Sequence, residues 1–143
     1  MTVSDGSAQD GGWALWDQSA YDGWPSHWPP VPFHIDSESR ARFTLIPTPD
    51  MGNRMGAVHG GFLASFAEAM LGVFIEPLDR PHSTVTVSLN IDYPAGAQVG
   101  VELNGEATLL RETGRMQFVR IDLFQQGQLV LCANGVLRKV PRS

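Results

Sequence analysis

Gly60-Gly61-Phe62-Leu63-Ala64-Ser65-Phe66-Ala67-Glu68-Ala69-Met70-Leu71-Gly72-Val73-Phe74-Ile75-Glu76 is the stretch that decides the architecture. It is apolar almost throughout, and only Glu68 interrupts it with a charge before the terminal Glu76. Its length and its Leu, Ala, Met and Glu content favour helix over strand. Pro77 ends it. A helix this apolar all round has to be covered on most sides, so the flanking sequence should supply a wrapping layer.

The downstream sequence has the period of such a layer. Val85, Val87, Leu89, Ile91 and Tyr93 alternate with Thr84, Thr86, Ser88, Asn90 and Asp92, and Pro94-Ala95-Gly96 breaks the run. Val99 to Leu109, Met116 to Phe124 and Leu129 to Val140 repeat the pattern, with a hairpin turn around Gly127. A period of two this clean predicts strands with one buried face. Upstream, Arg40 to Pro47 reads as one more strand, with Ala41, Phe43 and Leu45 on one face, followed by a turn-rich loop from Thr48 to Met55. The expected fold class is α+β, an antiparallel sheet wrapped around one long central helix. No β-region connection has room for the second helix of a ferredoxin-like fold.

Residues 13–33 hold all four tryptophans, Trp13, Trp16, Trp24 and Trp28, with Pro25, Pro29, Pro30 and Pro32. The prolines forbid a long helix after Trp24, a short helical turn is allowed over Trp13 to Ser19, and four free tryptophans would form a sticky patch unless the segment docks. The expected organisation is a disordered leader over 1–12, a Trp/Pro-rich extension over 13–33 and the main domain over 34–143. The chain of 143 residues, 43% hydrophobic, suffices for one core. No apolar run is long enough to span a bilayer. Met1 to Gly12 has neither the basic start nor the apolar stretch of a secretory signal, so a cytoplasmic location is expected. A net charge of −5 argues against nucleic acid as a partner. The single cysteine, Cys132, reads as strand packing, and Arg138, Lys139 and Arg142 read as a solvated tail.

The residues able to do chemistry concentrate in Asn53-Arg54-Met55-Gly56-Ala57-Val58-His59-Gly60-Gly61 and in Glu68. Backbone N–H groups at a helix start lack intrahelical partners and lie at the positive end of the dipole. One at Gly60 could stabilise an oxyanion, although Gly60 and Gly61 could equally serve tight packing. Glu68 is a carboxylate in an apolar helix, with the small residues Ala64, Ser65 and Gly72 one turn away. Burial suits such a group to general-base work, the alternative being a structural carboxylate hydrogen-bonded to a backbone group or an arginine. His59 reads equally as a helix-entry residue bonded to its own loop or as a catalytic contact. Asn53 alone is a turn residue, and Thr86 alone is a strand hydroxyl. Nine positions separate His59 from Glu68, about 13–14 Å of helical rise with the side chains on opposite faces. One site using both must draw them from two subunits. The four histidines show no ligand spacing, so no metal is expected.

The string Asn53-x5-His59-Gly60-Gly61-x6-Glu68 resembles the signature of hotdog-fold thioesterases of the PaaI (phenylacetate-degradation) and thioesterase-superfamily-member type. The resemblance continues through Val85 to Pro94 and covers about Phe43 to Leu137. It implies a hotdog fold and hydrolysis of a small or medium acyl- or aryl-CoA to free acid and CoA, with no cofactor beyond the substrate's own coenzyme A. The implied assembly is a homodimer or homotetramer with sites at the subunit interface. The catalytic set it implies is Asn53, His59, Gly60, Glu68 and Thr86, with Gly61 and Ser65 beside the substrate. The Gly60 N–H would polarise the thioester carbonyl, Asn53 would orient substrate or water, and Thr86 would help place the water. Glu68 stands where many relatives have Asp, which leaves nucleophile and general base both open. The alternative from another class is a non-catalytic acyl-CoA-binding or ligand-sensing module.

Overall fold

The computed structural model describes residues 2–4, 12–19 and 23–142, the first three by their backbone. One α-helix, α1 (Gly60–Met70), lies in the concave face of an eight-stranded antiparallel sheet. The strands are β1 (Thr2–Ser4), β2 (Ala14–Asp17), β3 (Val31–Ser37), β4 (Arg40–Leu45), β5 (His82–Asp92), β6 (Leu103–Glu112), β7 (Met116–Gln125) and β8 (Gln128–Pro141). Their order across the sheet is β1-β2-β3-β4-β6-β7-β8-β5. This is the expected hotdog arrangement, with a sheet that reaches further upstream than the sequence predicts.

The alternation seen in the sequence builds the core. On β7, Gln117, Val119, Ile121, Leu123 and Gln125 are buried and their neighbours are not. The apolar three, Val119, Ile121 and Leu123, with Phe43 and Leu45 of β4 and Leu131 and Leu137 of β8, share one core with Phe62, Leu63, Phe66, Ala67 and Met70 of α1. Gly105 is required by this packing, because a Cβ there would collide with the Phe43 ring. Gln126 (φ 50°) and Gly127 (φ 78°) form the tight β7–β8 turn.

Several expectations are corrected. The helix ends at Met70 rather than at Glu76, and residues 71–77 continue as turns. Gly72 and the β-branched Val73 and Ile75 weaken helix there, and bonds such as Val73 N–H to the Met70 carbonyl span three residues. The freed carbonyls are taken by arginines. Arg80 donates to Phe74 (2.9 Å), and Arg142 donates to Ile75 (3.0 Å), Glu76 (3.3 Å), Leu78 (3.2 Å) and His82 (2.9 Å). Arg142 is therefore a clamp rather than a solvated tail. Lys139 is no tail either, since its ammonium lies 3.4 Å from Glu112 with its side chain only 9% exposed. Arg138, on β8, is exposed as expected. Cys132 is half-buried on β8. Burial pushes the Glu112 carboxyl up, but Gln117, Arg80 and Lys139 outweigh it and hold the group below its ordinary value.

The Trp/Pro segment is also built differently. Trp13 to Ser19 contains strand β2 instead of a helical turn, because Leu15 and Trp16 pair with Pro32 and Val31. Trp24–His27 forms a 3₁₀ turn with Pro25 in its first positions. β3 begins at Val31, inside the stretch assigned to the extension. Of the leader expected to be unstructured, Thr2–Ser4 pair with β2, and residues 1 and 5–11 lie outside the described residues. No described helix is long and apolar enough to cross a membrane.

Candidate active site

α1 divides the predicted site residues into two groups. The first surrounds its start. Asn53 spends its carboxamide oxygen on the loop, accepting from the N–H groups of Met55 (2.8 Å) and Ala57 (3.2 Å). That closed loop delivers His59 to the N-cap, where its backbone N–H bonds the Met51 carbonyl at 2.9 Å. The His59 Nδ1 accepts the Gly61 N–H at 2.9 Å. An accepting Nδ1 carries no proton, so the neutral ring holds its proton on Nε2, as a potential donor.

The four orphan donors of the helix start can then be accounted for. His59 donates to the Met51 carbonyl at 2.9 Å, Gly61 to His59 Nδ1 and Phe62 to the His59 carbonyl at 2.9 Å, where Leu63 makes the first regular helix bond at 3.1 Å. Of these four, only the Gly60 N–H finds no acceptor among the described residues. The helix start thus presents one free donor, at the position expected to meet an oxyanion. Tyr93 lies over it, its hydroxyl donating to the Gly60 carbonyl at 2.8 Å. Sequence reasoning did not single Tyr93 out. A tyrosine in an otherwise apolar register, next to the strand-breaking Pro94, was its one available signal.

The second group lies two turns further along α1. Thr86 Oγ1 donates to Glu68 Oε1 at 2.7 Å. This contact exists because the strand is not regular. A bulge at Val87 shifts the β5–β8 register between Thr86 and Ser88. Before it, Thr84 and Thr86 face α1 and Val85 and Val87 are exposed; after it, Leu89 and Ile91 turn inward. The single-phase alternation expected of β5 is thereby corrected, since one extra residue flips every side chain on one side of it.

Glu68 is exposed, which corrects the expected burial within the chain. The curled sheet does not close over α1. β5, at one edge of the sheet, and β2 with the following 3₁₀ turn, next to the other edge, stand on either side of a seam. Along that seam run Gly61, Ala64, Ser65, Glu68 and Ala69. Ser65 donates its hydroxyl to the Gly61 carbonyl at 2.9 Å, so it lies in the wall of the seam but is engaged with the helix. Two cavities, of about 290 and 420 Å³, meet at Glu68 and Pro25. The smaller ends at Glu76, which sequence reasoning also missed. Its Oε1 accepts from Ser83 Oγ (2.6 Å), Thr84 N–H (2.6 Å) and Thr84 Oγ1 (2.9 Å). No cluster able to hold a metal occurs among the described residues.

The family model described as the thioesterase superfamily matches residues 55–132. The chain is 28% identical over 83 residues to acyl-coenzyme A thioesterase 13 of Mus musculus, a match covering 58% of this chain and 59% of that protein. It therefore spans about three-fifths of the length of that relative. A crystal structure of a thioesterase from Haemophilus influenzae superposes with a TM-score of 0.73 at 17% identity, over 87% of both chains. A phenylacetic acid degradation-related protein from Ralstonia eutropha gives 0.66 at 27% identity, over 73% of this chain and 80% of that one.

Proposed function

From the premise that this chain belongs to the thioesterase superfamily, we propose that it hydrolyses an acyl-CoA to free acid and CoA at sites shared between two subunits. The observation that carries the reading is the split just described. An unpaired Gly60 N–H stands at the start of α1, and a carboxylate held by a threonine hydroxyl stands two turns on, open to the seam. Eight residues of helix, about 12 Å, separate the two.

β5 supplies a way to join them. It is an edge strand, and Val85 and Val87 leave its outer face 53% and 59% exposed. Edges of this kind invite pairing. A two-fold axis through the middle of β5 would pair it with its copy and set two α1 helices antiparallel, the start of each beside Glu68 of the other. In this reading, the thioester carbonyl accepts the Gly60 N–H of one subunit, with His59 Nε2–H close by. Glu68 of the other subunit, its Oε1 held by Thr86, takes a proton from water through Oε2. The hydroxide forms a C–O bond at the acyl carbon and the Gly60 donor stabilises the oxyanion. Collapse breaks the C–S bond, and the proton held by Glu68 passes to the departing CoA thiolate.

Glu68→Gln is the test. It should fold, bind an S-alkyl-CoA thioether like the wild type and lose about 100-fold or more in kcat over a panel of acyl-CoAs, as a missing general base does. Turnover within a few-fold of wild type would remove Glu68 from the chemistry. A wild-type protein that binds thioethers but hydrolyses no acyl-CoA would instead be a binding module.

A further inference from the structure

The extension contributes to the cavities beside Glu68, and it does so with aromatic side chains. We propose that the 3₁₀ turn Trp24–His27 is a specificity wall for the acyl chain, and that the chain selected is an apolar one long enough to pass Ala64. The proposal rests on the thioesterase reading above for the position of the thioester at Glu68.

The two cavities differ in chemistry. Besides Glu68 and Pro25, which the two share, the one of about 420 Å³ is bounded by Trp24, Trp28, Ala64, Leu89 and Ser65, whose hydroxyl is spent on the Gly61 carbonyl. The one of about 290 Å³ contains Glu76, Ser83 and Thr84. Hydrocarbon laid against Glu76 would strip water from a carboxylate, which is costly. The same hydrocarbon between Trp24 and Leu89 covers apolar surface, which is favourable. An acyl chain attached at Glu68 is therefore directed toward the tryptophans.

The wall is fastened from behind. Trp28 is 6% exposed and packs edge-on against Phe62 (5.4 Å) and Phe66 (6.1 Å) of α1. Trp24 packs edge-on against Trp28 at 6.0 Å yet remains 56% exposed. One tryptophan thus anchors the turn and the other presents uncovered apolar area at the lip, at low entropic cost. Across from them, the small Ala64 leaves depth in the floor. Ala64 lies about one helical turn, roughly 6 Å, before Glu68. An acetyl group is too short to reach past it, and a chain of several carbons does.

Full-length wild type, Trp24→Ala, Trp24→Phe and the distant surface control Leu110→Ala would be compared. Calorimetry would use S-alkyl-CoA thioethers from ethyl to decyl, and kcat/KM the matching acyl-CoAs. Wild-type affinity should rise roughly fourfold per methylene until the cavity is filled. In Trp24→Ala that slope should flatten, with about a tenfold loss at octyl, the smallest loss at ethyl and the change in kcat/KM carried by KM. Trp24→Phe should recover most of the slope, and Leu110→Ala should match wild type. Loss in parallel at every length, no loss, or a flat wild-type series would overturn the wall and leave the hydrolase standing. A slope lost in Trp24→Ala, in a protein that turns over no acyl-CoA, would uphold the wall and overturn the hydrolase. Absence of thioether binding by the wild type would overturn the wall, and absence of both binding and acyl-CoA turnover would overturn the wall and the hydrolase together.

Discussion

Thr86 shows how much one backbone irregularity settles at the scale of a residue. Its hydroxyl reaches Glu68 only because Val87 is an extra residue in β5. The oxygen that donates to the carboxylate keeps lone pairs that can accept from a water held by the same group. Thr86→Val keeps the β-branched shape and removes that donor. We expect kcat to fall about 10- to 100-fold with the melting temperature within a few degrees of wild type, since one exposed hydrogen bond is worth about 1 kcal/mol. Thr86→Ser should restore most of the rate. Steady-state kinetics with thermal melts decide it, and a Thr86→Val enzyme as fast as wild type would make the contact incidental to catalysis.

At the scale of elements, the stretch from 60 to 76 is one apolar block in the sequence but two structures in the protein. α1 was legible from its apolar run, and β6, β7 and β8 from their period of two, although β6 starts at Leu103, because residues 99–102 of the expected strand lie in a turn before it. The end of α1 was not: Gly72, Val73 and Ile75 weaken helix there, but the turns that replace it are held by Arg80 and by the remote Arg142, which donate to the carbonyls of Phe74, Ile75, Glu76, Leu78 and His82. β3 was hidden for a similar reason. Val31, Phe33 and Ile35 do alternate with Pro32, His34 and Asp36, but Pro29, Pro30 and Pro32 crowd its start, and its pairing with β4 is what defines it. Among the candidate residues, Glu68 and Gly60 stand out from the residues alone and Asn53 and His59 through the family resemblance, whereas the phase of Thr86 is set by a bulge that no periodicity announces. The role given to Arg142 is open to test. Arg142→Gln removes a guanidinium that donates to four carbonyls. It should lower stability by roughly 1–3 kcal/mol, the range of charge-assisted bonds after allowance for an exposed side chain. Chemical denaturation would show the change as a shifted midpoint with an unchanged slope. An unshifted midpoint would mean that water satisfies those carbonyls as well.

For the molecule as a whole, the proposed chemistry calls for two subunits. A single subunit exposes Glu68 in an open seam and leaves the Gly60 donor at the far end of the same helix, while its β5 edge carries exposed valines. If two copies pair across β5, each dimer holds two sites, and each site takes its His59–Gly60 start from one subunit and its Glu68–Thr86 couple from the other. Subunit exchange then has a definite arithmetic. His59→Ala damages the donor half of both sites in its homodimer, and Glu68→Ala damages the carboxylate half. A heterodimer of the two places both defects in one site and leaves the other intact. Separately purified, the variants should be nearly inactive. Mixed in equal amounts and allowed to exchange, half the dimers should be heterodimers with one working site, so that activity rises to about one quarter of wild type per chain by simple two-fold counting. Heterodimers would be quantified by native mass spectrometry, using a tag on one variant. Heterodimers present in the expected proportion without any recovery of activity would mean that each site is completed within its own chain, and the pairing of α1 helices across β5 would have to be abandoned as the source of the catalytic geometry.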